Sequence, residues 1–361
     1  MKILHVETGR HLYGGAQQVI YLATALRMRG IDNTLVCGAG SGVDAAARDA
    51  GVAVINIDCA GDHDLGFAFR LRQRVLDEKP DILHCHSRRG GDFLGGLAAT
   101  GTAVPAVISR RVDNAESSLI AGLRYRPYRQ VIAISNNIAE VLCTAGIGAD
   151  RVNIIRSAVD TNAFLTPPDR EAFRREFHLS DSDVVIAAVA QLIPRKGHRY
   201  LLEAVAQIRT RLPDLKLIIF GQGPLENELR EQAARLGLGG TVQFAGFRPD
   251  VDSYLACIDI LVHPALAEGL GVAALKAAAA AVPVVGFAAG GLTEAVVDGK
   301  TGILVAPKDV DALGEAIAKL VESPELRRTF GEAGRVRMQN EFSIESMADA
   351  HVQLYESILS D

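Results

Sequence analysis

The sequence predicts an α/β protein with two doubly wound parallel sheets in two domains. Short apolar segments alternate with helical segments along the whole chain, a pattern typical of parallel sheets covered by helices on both faces. The pair Pro167-Pro168 interrupts this alternation near the middle. The chain has 361 residues, of which 48% are hydrophobic and 22% are charged. This length and composition are enough for about two domains with buried cores.

The first half contains six predicted strands. They lie at residues 3–6, 33–37, 52–57, 81–86, 106–109 and 131–135. Helical spacing of apolar residues predicts helices over residues 17–28 and 70–78. We therefore expect a first Rossmann-like domain over residues 1–165.

The second half repeats the pattern, which predicts a second Rossmann-like domain over residues 166–342. Its predicted strands are residues 183–190, 216–221, 241–246, 260–264 and 282–287, and its predicted helices are 199–212, 225–236 and 272–281. The tail over residues 343–359 has an amphipathic helical pattern. Ligands of such sheets bind beyond the carboxyl ends of the strands, so we expect the active site in a cleft between the two domains.

Charge and cysteine content restrict the possible partners. The net charge of −5 argues against nucleic acid. The five cysteines are widely spaced, which predicts neither a disulfide framework nor a zinc site. The first residues are strand-like, without the pattern of a signal peptide, and the apolar run at 277–291 is broken by Pro283 and Gly286. We expect a cytoplasmic protein.

Two motifs lie at or just after the ends of predicted strands in the first half, and their residue types are suited to bind ligands. Gly14 and Gly15 allow backbone amides to approach a phosphate or sugar, although a plain strand-to-helix turn is an equal alternative. His84 and His86 share one face of a strand. They suit a polar site, a metal pair or a structural role, and no third histidine lies nearby in sequence.

Two further motifs lie in the second half. Arg195 and Lys196 are adjacent cations that can neutralise a diphosphate, or form a solvated loop. The segment HPALAEGLGVAALK leads into a helix whose amides would face an anion, with Glu268 projecting towards the ligand.

Taken together, these motifs resemble glycosyltransferase family 4, the retaining family with the GT-B fold (glycosyl transferases group 1). The resemblance runs through GGA, PDILHCH, VIAIS, VAQLIPRKG, FGQGP, VQFAGF, HPALAEGLG, VPVVGFAAGG and DGKTGILV. It implies that the second domain binds a nucleoside diphosphate sugar and the first binds the acceptor. It also implies that the C-terminal helix, residues 343–361, packs back on the first domain.

The resemblance implies roles for particular residues. Arg195 and Lys196 match the pair that binds the diphosphate, Glu268 the acidic residue that contacts the donor sugar, and His86 a histidine near the reacting carbon. The donor-binding residues that it implies are Gly14, Gly15, Gly269, Leu270, Gly271, Val272 and Lys276. No metal and no cofactor other than the co-substrate is expected, because the D-x-D pairs at 62/64, 181/183, 250/252 and 309/311 lack a suitable context.

One departure from the family pattern concerns Lys276, where relatives have a second glutamate that accepts hydrogen bonds from the donor ribose. An ammonium group can only donate hydrogen bonds. This leaves open two alternatives to a retaining glycosyltransferase: a nucleotide-sugar epimerase of GT-B architecture, and a non-catalytic nucleotide-sugar-binding relative.

The acceptor is the least defined part of the prediction. The resemblance implies a lipid-linked or oligosaccharide acceptor in lipopolysaccharide, capsule or exopolysaccharide assembly. The segment 119–129, LIAGLRYRPYR, mixes arginine and tyrosine beside Arg110 and Arg111. This mixture suits an anionic surface on the inner face of the membrane or a phosphorylated acceptor, or equally a solvated helix end.

Overall fold

A computed structural model describes residues 1–86 and 90–360. The chain forms two compact units, Met1–Ala158 with Ile344–Asp361, and Val159–Ser343. Each has its own parallel sheet with helices around it, which confirms the predicted α/β class. Asp361, the last residue of the predicted C-terminal segment, lies outside the described residues.

The first unit contains a seven-stranded parallel sheet in the order β3-β2-β1-β4-β5-β6-β7. The strands are β1 (Lys2–Val6), β2 (Asp32–Cys37), β3 (Ala53–Asn56), β4 (Ile82–Cys85), β5 (Ala106–Arg110), β6 (Gln130–Ala133) and β7 (Val152–Ile154). The helices are α1 (Gly14–Met28), α2 (Gly42–Asp49), α3 (Leu65–Glu78), α4 (Gly91–Ala99), α5 (Ser118–Tyr125) and α6 (Asn136–Thr144), with α15 (Ile344–Ser360) from the end of the chain. The strand order reverses between β1 and β4, and Gly14 and His86 follow these two strands.

The second unit contains a six-stranded parallel sheet in the order β10-β9-β8-β11-β12-β13. The strands are β8 (Val184–Val189), β9 (Leu215–Phe220), β10 (Val242–Gly246), β11 (Ile260–His263), β12 (Val284–Phe287) and β13 (Gly302–Val305). The helices are α7 (Arg170–Glu176), α8 (His198–Ile208), α9 (Glu226–Arg235), α10 (Val251–Leu255), α11 (Val272–Ala279), α12 (Leu292–Ala295), α13 (Val310–Glu322) and α14 (Pro324–Glu341). Here the order reverses between β8 and β11, which precede Lys196 and Glu268 respectively.

Two strands were absent from the sequence prediction. Both β7 and β13 are edge strands of three and four residues, and their apolar runs are too short to show the period of a strand. They form because each finds a parallel neighbour, β6 for β7 and β12 for β13.

The C-terminal helix α15 is part of the core of the first unit. Its buried side chains recur at helical spacing and are Met347, Ala348, His351, Leu354, Tyr355 and Ile358. All of them except His351 join Leu22 and Leu26 of α1 in one apolar cluster. The chain enters and leaves the second unit at adjacent points, because Val159 pairs with Ser343 in an isolated parallel bridge. Among the described residues, none of the helices has the length and apolarity needed to cross a bilayer.

We predict that Tyr355→Ala destabilises the first unit by roughly 3–5 kcal/mol, since it empties a fully buried site and removes the partner of His84. Tyr355→Phe loses only the hydroxyl and costs about 1–3 kcal/mol. Denaturant unfolding measures both. The control is Leu359→Ala on the same helix, where the side chain is 45% exposed and the expected change is within about 0.5 kcal/mol. Equal costs for Tyr355→Ala and Leu359→Ala would contradict the packing described for α15.

Candidate active site

The loops that follow β8 and β11 are held against each other by their backbones. The Leu266 amide donates to the Arg195 carbonyl at 2.8 Å. A Cβ atom at Gly197 would lie 1.9 Å from the carbonyl oxygen of Pro264, and Gly197 has a φ of 71°. Only glycine fits this position, because it tolerates both the left-handed backbone and the close approach. The predicted residues Arg195, Lys196 and Glu268 therefore lie on two loops that form one structure.

Glu268 is the centre of this structure. Its Oε2 accepts hydrogen bonds from Lys196 Nζ at 2.5 Å and from His263 Nε2 at 2.7 Å, and its Oε1 accepts from the Gly269 amide at 3.1 Å. The side chains of Glu268 and Lys196 are each 13% exposed. His263, which was not among the residues predicted from the sequence, ends β11 and is buried. The histidine in HPALAE could have been found as the residue that closes this strand.

The protonation state of Glu268 follows from two opposing effects. Burial raises the pKa of its carboxyl group. The hydrogen bond from His263 and the electrostatic effects of His263 and Lys196 outweigh burial and hold this pKa well below its usual range. Glu268 is therefore an ionised carboxylate that fixes the Lys196 ammonium group in place.

The helix that follows this loop begins without a side-chain cap. Gly271 is the N-cap of α11, and no side chain bonds to the first-turn amides. Such amides, at the positive end of a helix, are suited to bind an anion. The predicted donor-binding residues Gly269, Leu270 and Val272 lie here, and the Leu270 side chain is buried, so that only its backbone is available to a ligand.

Lys276 is ion-paired within the second unit. Its Nζ donates to Asp252 Oδ2 of α10 at 2.6 Å, and Asp252 Oδ1 has no hydrogen-bond partner in the described part of the chain. Lys276 lies one helical turn beyond Val272, on the same face of α11. The departure from the family pattern is thus accompanied by a carboxylate on the neighbouring helix.

In the first unit, Gly14 and Gly15 begin α1, which has no side-chain cap either. A Cβ atom at Gly15 would lie 3.3 Å from Cδ of Arg111, so a guanidinium stem borders this helix end. Burial lowers the pKa of Arg111 to about 10, while the charge of Glu7 raises it. Arg111 stays a cation at neutral pH, and it adds positive charge beside amides that already favour an anion.

His86 belongs to a buried group of four histidines. Its Nε2 lies 3.0 Å from His5 Nδ1. His84 bonds through Nδ1 to the Tyr355 hydroxyl at 2.6 Å and through Nε2 to a serine hydroxyl of β5 at 2.8 Å. The ring centroid of His351 of α15 lies 5.6 Å from that of His84, with the two rings tilted. The third histidine near His84 and His86 thus comes from β1, where the sheet register pairs His5 with His84.

Burial keeps these imidazoles neutral. It lowers the pKa of His5 to about 3 and that of His351 to about 4, and it holds the pKa values of His84 and His86 well below the usual range. Nitrogens of His5, His84 and His86 lie within 4.8 Å of one another, close enough to hold a metal ion. Both nitrogens of His84 already have hydroxyl partners, and the positive charge of Arg111 acts on His84 and His86, so the group is better suited to hydrogen bonding.

Each D-x-D pair contains a carboxylate with a structural role. Asp64 and Asp309 cap α3 and α13, Asp183 accepts from the Ser180 amide, and Asp250 pairs with Arg248.

The structure corrects the interpretation of the segment 119–129. Tyr125 and Tyr128 are buried, and Arg110 is buried in an ion pair with Glu116. These groups face the interior of the first unit, because the tyrosine hydroxyls bond to buried partners. The aromatic part of the membrane interpretation is therefore wrong. The large hydrophobic side chains that α5 exposes are aliphatic instead, namely Leu119, Ile120 and Leu123.

Comparison with protein families agrees with this arrangement. Residues 13–163 match the model of Glycosyltransferase Family 4, and residues 169–337 match that of Glycosyl transferases group 1. Because the two models together match most of both units, the chain belongs to this glycosyltransferase family, and it has the GT-B fold.

Individual relatives differ in how much of their length is matched. A GDP-mannose-dependent alpha-(1-6)-phosphatidylinositol monomannoside mannosyltransferase of Mycolicibacterium smegmatis is 38% identical over 49% of each chain, so this chain spans about half the length of that relative. A lipopolysaccharide core biosynthesis glycosyltransferase of Rhizobium meliloti is 27% identical over 99% of each chain. The crystal structure of Anabaena HepE with UDP has a TM-score of 0.87 at 22% identity, and the match covers 99% of this chain and 100% of that one.

The pKa of Glu268 predicts how stability depends on pH. The pKa of Glu268 is lower in the folded state than its ordinary value of 4.5, so the ionised carboxylate stabilises the fold fully above pH 4.5. This contribution is lost as the pH falls from 4.5 towards the folded-state pKa. We expect Glu268→Gln to cost roughly 3 kcal/mol at neutral pH, and this difference from the native chain should narrow below about pH 4.5. Urea unfolding at several pH values measures it, with exposed Glu325→Gln as the control. A constant difference across this range would contradict the role given to the carboxylate.

The Lys276–Asp252 pair predicts a charge-reversal effect. Lys276→Glu places two carboxylates together, and Asp252→Lys places two cations together. Each single change should lower the free energy of unfolding by up to about 1 kcal/mol, a small effect because the pair is partly exposed. The double reversal should recover most of this loss. A double-mutant cycle on unfolding free energies measures the coupling. If the loss of unfolding free energy in the double variant equalled the sum of the two single losses, the two groups would not interact.

Proposed function

We propose that the protein is a retaining glycosyltransferase that moves a sugar from a nucleoside diphosphate sugar to an acceptor hydroxyl. The observation that carries this proposal is the cluster formed by Glu268, Lys196 and the uncapped start of α11. It places a fixed cation, Lys196, beside a helix start that has no side-chain cap, at the strand reversal where parallel sheets bind ligands.

Lys196 is suited to stabilise the departing diphosphate. Its ammonium group has three hydrogens, and Glu268 takes one, so two remain for phosphate oxygens. Because Glu268 fixes the ammonium group before the ligand arrives, little reorganisation is needed as negative charge develops on the leaving group. Arg195, the adjacent residue, would add a second cation.

Glu268 is suited to hold the donor sugar rather than attack it. A carboxylate has about four acceptor positions, and Lys196, His263 and the Gly269 amide use three. The remaining position can accept from a sugar hydroxyl. A carboxylate that accepts hydrogen bonds from two side chains is a weak nucleophile. This favours same-face substitution, in which the leaving phosphate takes the acceptor proton.

The first unit would bind the acceptor and supply His86. Its imidazole is neutral, and its Nδ1 has no hydrogen-bond partner in the described ranges, so it can bond to a sugar hydroxyl. We propose that the reaction needs no metal ion, because Lys196, Arg195 and the helix amides supply the positive charge that a metal would otherwise provide.

The acceptor is proposed to be a lipid-linked saccharide or oligosaccharide used in surface polysaccharide assembly, at the inner face of the membrane. The lipopolysaccharide core enzyme of Rhizobium meliloti, matched over 99% of its length, supports this class of acceptor. The mannosyltransferase relative supports GDP-mannose as one donor to test, beside UDP-glucose.

The experiment is a thermal-shift panel of nucleoside diphosphates and their sugars, followed by transfer assays with the stabilising donor. Binding raises the melting temperature by mass action, so weak donors are detected as well. NMR of the product establishes whether the anomeric configuration is retained, and added EDTA tests metal independence. A donor converted without acceptor to an epimeric sugar would show an epimerase, and binding without turnover would show a non-catalytic relative.

We predict that Lys196→Met lowers the transfer rate roughly 100- to 1,000-fold, since it removes a fixed charge from the leaving group. The matched control is Lys319→Met, at an exposed position of α13, which should leave the rate unchanged. Melting temperatures of both variants separate lost catalysis from lost folding. A folded Lys196→Met variant that transfers sugar as fast as the native protein would contradict the role given to Lys196.

A further inference from the structure

An ion pair lies beside the proposed diphosphate site of the second unit. Lys276 Nζ on α11 donates to Asp252 Oδ2 on α10 at 2.6 Å. Val272, the first residue of α11, precedes Lys276 by four positions, which is about 6 Å along the helix axis. Side chains of a helix lean towards its amino end, so the Lys276 side chain extends towards the uncapped first turn. The pair is therefore close to the place where the diphosphate is proposed to bind.

This side of α11 is open to a ligand. Val272 and Lys276 share one face and are partly exposed, whereas Leu275 is buried. The side chain of Lys276 is 25% exposed, and that of Asp252 is 44% exposed. The open face thus runs from the start of the helix to the ion pair. A ligand with phosphates at the start of α11 can extend along this face to Asp252.

The Asp252 carboxylate has acceptor capacity that the described part of the chain leaves unused. Lys276 takes one position on Oδ2, while Oδ1 is shielded from water and has no hydrogen-bond partner among the described residues. A buried acceptor without a partner is energetically costly. Rotation of a carboxylate about its terminal bond is easy, so either oxygen can turn towards a ligand. A ligand that donates a hydrogen bond here would remove this cost.

The chemistry of the pair matches a hydroxyl group. A hydroxyl both donates and accepts hydrogen bonds, a carboxylate accepts them, and an ammonium group donates them. In a nucleoside diphosphate the ribose hydroxyls lie next to the phosphates, and the base lies further away. Carboxylates bind ribose hydroxyls in other parallel-sheet proteins that hold nucleotides. A phosphate group would instead be repelled by the Asp252 carboxylate, which favours the ribose as the group bound here.

We propose that Asp252, held in place by Lys276, accepts a hydrogen bond from a ribose hydroxyl of the nucleoside diphosphate sugar. Asp252 contacts the donor, and Lys276 is a positioning residue that fixes the carboxylate. The second unit therefore selects ribonucleotides over deoxyribonucleotides through a residue of α10. The inference rests on the proposed function, because it takes the start of α11 as the diphosphate site. It concerns nucleotide binding alone, so it is measured without an acceptor.

The test is isothermal titration calorimetry of the full chain with UDP or GDP, whichever binds more tightly, and with the 2′-deoxy and 3′-deoxy forms of that nucleotide. We expect the native chain to bind the ribonucleotide at least about tenfold more tightly than one deoxy form, since a hydrogen bond to a charged group contributes a factor of this order. Asp252→Ala should abolish this preference. The readout is the ratio of dissociation constants, because the released Lys276 ammonium group changes the binding of all three nucleotides alike.

A second variant separates recognition of the ribose from a change in packing. Asp252→Ala combined with Lys276→Glu returns a carboxylate to the same place from the side of α11. This double variant should restore the preference for the ribonucleotide at least in part, which a purely structural role of Asp252 would not produce. Melting temperatures of both variants should stay close to that of the native chain, because the ion pair is partly exposed.

The matched control is Glu332→Ala on α14 of the second unit. Glu332 is also partly exposed and is ion-paired, with Arg335 at 2.7 Å, so the change removes a carboxylate of the same kind elsewhere. It should leave the affinities for all three nucleotides unchanged.

Two results would overturn the ribose contact and leave the proposed function standing. One is a full preference for the ribonucleotide in Asp252→Ala. The other is an equal loss of affinity for the ribonucleotide and both deoxy forms, which would assign Asp252 to the base or to packing. A native chain that binds neither UDP nor GDP would overturn the donor site itself, and the ribose contact with it.

Discussion

The close approach of the loops after β8, β11 and β12 is the constraint on which the candidate donor site depends. Gly197 lies against the carbonyl of Pro264, and Gly291 donates its amide to the Glu268 carbonyl at 2.8 Å. Any side chain at Gly197 would separate the loops, and Lys196 and Glu268 could then no longer meet at 2.5 Å. The backbone packing therefore comes first, and the ion pair follows from it.

The ion pair in turn explains why burial is tolerated here. A buried carboxylate is costly unless partners satisfy it, and Glu268 has two side-chain partners and one amide. Replacing either Lys196 or Glu268 would leave a buried charge with fewer partners. The cost of burying the Glu268 carboxylate is therefore offset by its partners before a ligand binds. Ligand phosphates then meet a cation, Lys196, whose position is already fixed.

The sequence predicted the fold class and the loops that carry the candidate residues, because strand-helix alternation and strand-to-loop motifs are local signals. It did not predict the contacts that His5, His263, Asp252 and Arg111 make with the candidate residues. Their importance depends on which strands and helices become neighbours, and a local pattern does not contain that information. The register of β1 against β4 brings His5 to His84, and the packing of α10 on α11 brings Asp252 to Lys276. Tyr125 was misread for the same reason, since a mixed basic and aromatic segment does not show which face is buried.

The end of the chain is coupled to the candidate residue His86 by hydrogen bonding and packing. Tyr355 and His351 of α15 surround His84, whose ring lies 3.8 Å from that of His86. The two hydroxyl partners of His84 hold its ring in one orientation, and the hydrogen bond to His5 orients His86. The C-terminal helix is therefore more than a cover for apolar surface. It completes the group of polar side chains that orients His86. A substitution in α15 should therefore alter the orientation of His86, although the two are far apart in sequence.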